Sequence, residues 1–285
     1  MSKKSKAPTT VRPFIFHGID LDWENEEDPM GDCPFCGKAK FAVNVSTGMA
    51  RCFVCGVSEE GGKGLNAFSF VRELHGLLKD DSESFSESEF DYSSLAEDRG
   101  ISEETCYDFE IVQDDGDNWL IPAYNADGKL CQLYRYGDTC YPTPQLGAQM
   151  FGVNLINRKH KVLNICEGPW DTMALYEAFK KEKVSQSVIG IPGITVFRDV
   201  WLRLISDYDQ IKIWQDNDHP NNVDGQERGL GGLKGVQLIA SSINSMKNPP
   251  EVFYCSWGAS ENLGYNKDYE NKCDVRDVLT GKVTL

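Results

Sequence analysis

The chain of 285 residues has no run of about 18 apolar residues, so no helix in it is built to cross a bilayer. It has no G-x-x-x-x-G-K-[ST] loop, which excludes phosphate chemistry of the P-loop kind. Histidine is scarce: His17, His75, His160 and His219 are the full set, and none stands at ligand spacing from another. His219 borders an acidic loop and is a mild candidate; a plain loop role is the commoner reading. Basic excess is also missing. Lys and Arg total 29 against 44 Asp and Glu, a net charge of −15, which at first sight disfavours a nucleic-acid partner. The distribution weakens that objection. Asp20–Asp32 carries seven acids and Asp80–Asp91 six, with no base in either, so about −2 is left for everything else. The first twelve residues run the other way, with Lys3, Lys4, Lys6 and Arg12 and no acid. No apolar run follows Met1–Lys6, so a signal peptide is not expected. Ten cysteines without an export signal are not expected to form a disulfide framework. The location implied is the cytoplasm.

Four of the ten cysteines form a pattern. Cys33-Pro34-Phe35-Cys36 and Cys52-Phe53-Val54-Cys55 are C-x-x-C pairs with fifteen residues between them, a spacing that closes a tetrahedral zinc site. Gly37 and Gly56 follow the pairs and permit tight knuckle turns. Phe41–Val45 and Met49–Arg51 fit the strands of a hairpin turned by Ser46-Thr47-Gly48. The zinc is structural in the first instance, because the metal supplies folding energy. Phe35, Phe53, Lys38, Lys40 and Arg51 either stack on and neutralise a single nucleic-acid strand or, for the two phenylalanines, fill a core. Cys106, Cys131, Cys140, Cys166, Cys255 and Cys273 read as buried or half-buried thiols.

Composition divides the chain into five parts. Residues 1–30 are an arm and acidic stretch, 31–79 the ribbon with a following helix-period segment at 67–78, and 80–91 a Ser- and acid-rich linker. Residues 92–160 hold a helix start at Ser102-Glu103-Glu104 and a hairpin. Its strands are Trp119–Tyr124 and Leu130–Tyr136, joined through Asn125-Ala126-Asp127-Gly128. Over 161–285 strands at 162–166, 188–191, 211–214 and 252–255 alternate with helical segments at 171–181, 197–205 and 230–243. This predicts a mainly parallel sheet with helices on its faces. No internal repeat is present.

Carboxylates fall where those strands end. Glu167-Gly168-Pro169-Trp170-Asp171 follows the first strand and Asp216-Asn217-Asp218 the third, and Asp274-Val275-Arg276-Asp277 lies near the C-terminus. One Asp-x-Asp alone is usually a surface pair. A strand-terminal Glu-Gly-x-x-Asp joined to a strand-terminal Asp-x-Asp is a stronger signal, since ligands gather at the carboxyl ends of parallel strands. Clustered carboxylates there suit Mg²⁺ or Mn²⁺ serving phosphoryl or nucleotidyl transfer. Gly229-Leu230-Gly231-Gly232-Leu233-Lys234 opens a helix and either cradles a phosphate or only starts the helix.

The combination resembles the primase half of bacteriophage helicase–primases and, more broadly, the bacterial primase group with its TOPRIM fold. The resemblance spans about residues 31–280. It rests on the four-cysteine ribbon, Arg99–Cys106, Met150-Phe151-Gly152, Glu167-Gly168-x-x-Asp171, Asp216-x-Asp218 and Lys272-Cys273-Asp274-x-x-Asp277. It implies an α/β TOPRIM-type sheet behind a small β zinc ribbon, and an enzyme making short RNA primers on single-stranded DNA from ribonucleoside triphosphates. Glu167, Asp216 and Asp218 would hold catalytic Mg²⁺ or Mn²⁺, with Asp171, Asp274 and Asp277 lining the site. Arg135 would face nucleotide or template, and Lys161 and Lys234 are lesser candidates for phosphate contacts. The ribbon of that family helps select the template trinucleotide. Two departures stand out: there are fewer lysines around Lys129–Arg135, and no helicase motor precedes Leu285. A replicative helicase in cis or trans is therefore the expected partner, in a phage-infected bacterial cell. The rival readings are a TOPRIM nuclease or topoisomerase-like strand cleaver, and a non-catalytic ribbon module that binds single strands or a replication partner.

Overall fold

The computed structural model describes residues 7–57, 64–74, 90–114, 118–137, 140–144, 146–223, 226–228, 231–255, 257 and 265–284, with backbone alone over 221–223 and 226–228. The chain divides into two compact units. One comprises Met1–Glu87, Val112–Leu120 and Cys131–Gly147, the other Ser88–Ile111, Ile121–Leu130 and Ala148–Leu285. Most of the linker read at 80–91, and the Gly229-Leu230 start of the Gly-rich segment, lie outside the described residues. No described helix is long and apolar enough to cross a membrane.

The first unit opens with α1 (Arg12–Phe16), β1 (Leu21–Asp22), β2 (Met30–Gly31), β3 (Phe41–Val43), β4 (Ala50–Cys52) and α2 (Ala67–Leu74). The four strands form one antiparallel sheet in sequence order. The acidic stretch expected to lie ahead of the ribbon instead supplies its first two strands. The reason is a shared aromatic core: Phe14 of α1 and Phe70 of α2 are fully buried and meet at 4.7 Å, and Phe41 packs on both. Fully burying one such ring contributes about 1.5–3 kcal/mol, enough to hold short elements that would not persist alone.

Next in the chain come α3 (Ser93–Arg99), α4 (Glu103–Asp108), β5 (Val112–Gln113), β6 (Trp119–Tyr124), β7 (Leu130–Tyr136) and β8 (Cys140–Pro142), the strands forming a sheet in the order β5-β6-β7-β8. The boundary between the units runs through β6 and β7. The expected hairpin turn is present: Asn125 Oδ1 accepts the N–H groups of Asp127 and Lys129 at 2.9 and 3.0 Å. Ser102 caps α4 by accepting the Thr105 N–H.

The rest of the second unit carries β9 (Val162–Glu167), α5 (Pro169–Glu182), β10 (Ser187–Ile191), α6 (Leu202–Ile205), β11 (Gln210–Trp214), β12 (Asn221–Val223), β13 (Gln226–Arg228), α7 (Gly231–Asn244), β14 (Glu251–Tyr254) and α8 (Val275–Leu279). β10, β9, β11 and β14 lie in that order in one wholly parallel sheet. Leu163, Ile165, Ile189, Ile191, Ile211 and Ile213 bury one face against Trp201 and Ile205 of the α6 region and Val236 and Ile239 of α7. Cys166 and Val188 bury the other against Leu175 of α5 and Val275 of α8. Double-sided burial explains the near-continuous apolar runs of β9 and β10. The amphipathic stretch at 197–205 is not one helix; a 3₁₀ turn at Asp199–Trp201 precedes α6.

One glycine of β10 lets the sheet approach the turn after β9. A Cβ on Gly190 would sit 2.1 Å from Thr172 Oγ1 and 2.7 Å from the Gly168 carbonyl oxygen. Gly190→Ala is therefore expected to destabilise the protein by about 2–4 kcal/mol. Urea unfolding measures this, and unchanged stability would mean that the turn yields freely.

Candidate active site and metal centres

In the first unit the Sγ atoms of Cys33 and Cys55 lie 3.8 Å apart, those of Cys36 and Cys52 3.7 Å apart, and all four sulfurs fall within 4.8 Å of one another. A zinc ion with Zn–S bonds of about 2.3 Å demands tetrahedral S···S edges of about 3.8 Å. The four side chains therefore fit zinc with little movement. Gly37 and Gly56 donate their N–H groups to the carbonyls of Cys33 and Cys52, closing both knuckles. Burial raises the Cys33 thiol to about 12. Burial also opposes ionisation at Cys52, but the N–H groups of Cys55 and Val54 overcome it and bring that thiol to about 6.

The two ribbon phenylalanines have different roles. Phe35 packs against Phe41 and Phe70 at 6.4 and 6.2 Å. Phe53 is 56% exposed beside Val54 at 58%, with the Arg51 guanidinium 4.4 Å above its ring. Lys38 and Lys40 are exposed on the same knuckle region.

In the second unit the carboxylates gather at the carboxyl edge of the parallel sheet. Glu167 is the last residue of β9. Gly168 then takes φ +83°, which an L side chain rarely adopts, and Pro169 begins α5 with its fixed φ. That sharp turn delivers Asp171 in the first turn of α5. Asp216 and Asp218 follow the end of β11. Asp274 is the N-cap of α8, which packs on α5.

The electrostatics show a crowded and poorly compensated site. Burial, then repulsion from Glu167, Asp274 and Asp218, raises the Asp216 carboxyl to about 8, with Arg276 alone pulling it down. Burial is the main cause at Asp171 as well, followed by Asp274 and Asp216, and its carboxyl lies well above the ordinary range. Glu167 is raised by burial and by Asp218, while its Oε1 accepts the Ile194 N–H at 3.2 Å. Glu167 Oε2 and Asp171 Oδ1 are buried with no hydrogen-bond partner. Such orphaned carboxyl oxygens are rare and costly in proteins, and a divalent cation is the partner that suits their ionised form. Among the described residues only the four cysteines bring three or more ligand atoms within 4.8 Å; the carboxylates share an edge at wider spacing.

The other sequence candidates sort by position. Asp277 forms a capping box with Asp274, donating its N–H to Asp274 Oδ1 at 2.8 Å, and Arg276 Nη2 lies 3.2 Å from Asp274 Oδ2. Asp277 thus stands behind Asp274. Asp218 Oδ2 accepts the Gly232 N–H at 2.8 Å, so the Gly-rich helix start is engaged by a carboxylate. Lys234 is exposed on the first turn of α7. Lys161 precedes β9 and pairs with Asp209 at 3.6 Å. It lies at the amino end of the strand whose carboxyl end carries Glu167, about 20 Å away at strand rise, which removes it as a phosphate contact in this site. Arg135 belongs to the first unit. There it pairs with Asp114 at 3.0 Å and covers the Phe16 ring at 4.5 Å.

Three residues to which the sequence reading gave no role support the site. Arg276 is the cation facing the carboxylates. Asn217 is buried beneath them. Glu177 of α5 takes the Ser102 N–H and the Ser102 and Thr105 hydroxyls on one oxygen, at 2.6, 2.8 and 2.7 Å. Burial opposes its ionisation, but the Lys181 ammonium and these donors hold its carboxyl at about 2. Glu177 therefore fixes the Arg99–Cys106 segment to the helix that carries Asp171, and the Arg99 guanidinium lies 4.9 Å over the Trp170 ring. Nothing in the sequence pairs residues seventy apart.

No family model matches the chain, and no curated protein sequence matches it. Among solved structures, it is similar to the zinc-binding and RNA polymerase domains of the Aquifex aeolicus primase at 15% identity and TM-score 0.45, over 99% of this chain and 83% of that one. It is similar to the primase fragment of the bacteriophage T7 primase-helicase protein at 17% identity and TM-score 0.47, over 88% and 93%. The RNA polymerase domain of the Mycobacterium tuberculosis primase aligns at 12% identity and TM-score 0.42, over 67% and 72%.

Proposed function

We propose that the protein is a DNA primase, a DNA-directed RNA polymerase that makes short RNA primers on single-stranded DNA, built from a zinc ribbon and a TOPRIM-type domain. The observation that carries the reading is the group of half-buried carboxylates around the buried Asp171, with orphaned buried oxygens on Glu167 and Asp171, at the carboxyl edge of a parallel sheet. Its other support is the sequence resemblance, which joins this acidic pattern to a four-cysteine ribbon in one chain.

Glu167, Asp216 and Asp218 would hold Mg²⁺ or Mn²⁺, flanked by Asp171 and Asp274. When bound, the cation neutralises charge at the reacting phosphate and acidifies the attacking hydroxyl. The 3′-oxygen of one ribonucleotide forms a bond to the α-phosphorus of the next, and pyrophosphate leaves with the electron pair of the broken anhydride. The chain's part is to orient: Gly168 and the caps of α5 and α8 aim the carboxylates, and Arg276 limits their repulsion. In the ribbon, Cys33, Cys36, Cys52 and Cys55 would hold zinc, which would lock the two knuckles, and Phe53, Arg51, Lys38 and Lys40 would offer a stacking face with positive charge for a template strand. A helicase acting beside the protein remains part of this reading.

Labelled ribonucleotide incorporation on mixed-sequence single-stranded DNA with Mg²⁺ tests it: short RNA products are expected. DNA cleavage without added nucleotides would instead identify a strand cleaver. Phe53→Ala is expected to weaken single-stranded DNA binding about 5- to 150-fold, the effect of losing one base-stacking contact. Fluorescence anisotropy measures this, and unchanged affinity would move the template contact elsewhere.

A further inference from the structure

We infer that Asn217 is a positioning residue, which holds the Asp216–Asp218 loop and Asp274 in fixed relation. The inference rests on the divalent-cation reading above and assigns the residue on which that site's geometry depends.

Asn217 is the middle residue of Asp-x-Asp and is fully buried. The Asp218 N–H donates to the Asp216 carbonyl at 3.0 Å, so the chain turns tightly about Asn217. Its Nδ2 donates toward the carbonyls of Asn266 and Glu270, each at 3.0 Å, and of Tyr269 at 3.3 Å. Its Oδ1 accepts the Asn266 N–H at 2.7 Å. Its backbone closes the same junction: the Asn217 N–H donates to the Cys273 carbonyl at 2.8 Å, and the Lys272 N–H to the Asn217 carbonyl at 2.9 Å. One residue therefore clasps residues 266–273, and Asp274 follows at once.

The amide has one workable orientation. Turned over, its oxygen would face three carbonyls and its nitrogen an N–H. An aspartate in its place has no donor for those carbonyls, so the residue between the two acids must be amide rather than acid. His219 completes the clasp. Its Nε2 lies 3.0 Å from the Asn266 carbonyl and 3.1 Å from Asn217 Nδ2. With both Asn217 amide protons turned to carbonyls, the Nε2–H tautomer donates to Asn266. The His219 N–H donates to Asn271 Oδ1 at 2.8 Å, an outer strap on an exposed residue.

The consequence is electrostatic as well as geometric. Asp216 and Asp274 repel each other, as do Asp171 and Asp274. Without the clasp Asp274 would keep its α8 cap and Arg276 but lose the support of the 266–273 segment that leads into it, and a bound cation would lose part of its cage. Supports behind metal ligands carry about 10- to 100-fold in metal affinity.

The test is Mn²⁺ titration of the full zinc-loaded chain, followed by paramagnetic resonance, for the parent, Asn217→Ala and Asn271→Ala. Amide exchange over 265–274 and the Mn²⁺ dependence of primer synthesis accompany it. Asn217→Ala is expected to bind Mn²⁺ about 10- to 100-fold more weakly. Its Lys272 amide should exchange faster. Its half-saturating Mn²⁺ for synthesis should rise, with the rate at saturating Mn²⁺ largely kept. Asn271→Ala should show a shift of a few-fold in the same direction. A fall in the number of sites or in the saturated rate, at unchanged half-saturation, overturns the assignment. Should Asn217→Ala not fold, unchanged Mn²⁺ affinity in Asn271→Ala overturns it as well. A parent chain that binds no Mn²⁺ overturns the cation reading and this inference together. A parent that binds Mn²⁺ no better than Asn217→Ala overturns the clasp alone.

Discussion

Asp216→Asn is expected to abolish primer synthesis, by on the order of 10³-fold or more, while making the metal-free protein more stable. The two effects have one cause. Asp216 is held in a group of carboxylates that raises its carboxyl from 3.8 to about 8. The unfolded chain ionises this group near pH 4, whereas the folded chain resists ionisation up to about pH 8. Stability therefore falls as pH rises between those values, and the penalty is fully present above the upper one. Asparagine keeps the shape and removes the charge. At pH 8 to 9 the variant should gain about 1–3 kcal/mol, a smaller figure than the shift itself implies because neighbouring acids relax. Near pH 4 the gain should vanish. Melting curves across pH, without divalent metal, read this directly. A variant less stable than the parent at pH 8, or one that still synthesises primers, would sink the assignment of Asp216 to cation binding.

Zinc removal is the second large effect. The ribbon strands are two or three residues long, and its knuckles are joined by the four thiol groups, the short β3–β4 pairing and the aromatic core around Phe41. Structural zinc supplies about 10–16 kcal/mol in comparable small sites at neutral pH. Cys36→Ser is therefore expected to lose the bound zinc and open residues 31–57 to protease, with loss of template-directed synthesis. Metal analysis should find one zinc per parent chain and little in the variant. A variant that keeps its protease resistance without zinc would show that the aromatic core suffices. The Asp216→Asn and Cys36→Ser phenotypes are expected to differ in kind: the first should leave the ribbon folded and zinc-loaded, the second should not.

The sequence by itself determined a good deal. C-x-x-C spacing announced the four-thiol cluster, because tetrahedral closure needs ligands two apart on each knuckle. Strand-like segments at 162–166, 188–191 and 211–214 alternating with helical ones announced a parallel sheet, and the near-continuous apolar runs of the first two fit burial on both faces. That Glu167 and Asp216 come to one sheet edge was legible because each stands within two residues of the end of such a segment, and parallel topology brings strand ends together. Only the tertiary structure decided the rest. That Asp20–Asp32 joins the ribbon sheet follows from the burial of Phe14 against Phe70, residues 56 apart in sequence. The assignment of Phe35 to the core and Phe53 to the surface was open in the sequence, since each lies inside a C-x-x-C knuckle and spacing does not say which side of a knuckle the rest of the chain covers. Lys161, a lesser candidate for phosphate contacts, precedes the amino end of β9, whose carboxyl end carries Glu167. Asn217, Glu177 and Arg276 carry no local signature. Their roles arise from partners about fifty to seventy-five residues away for the first two, and from carboxylates gathered out of three separate segments for the third. Periodicity and spacing record which groups a short segment must bury or bind; they hold no record of which distant segment arrives to meet them.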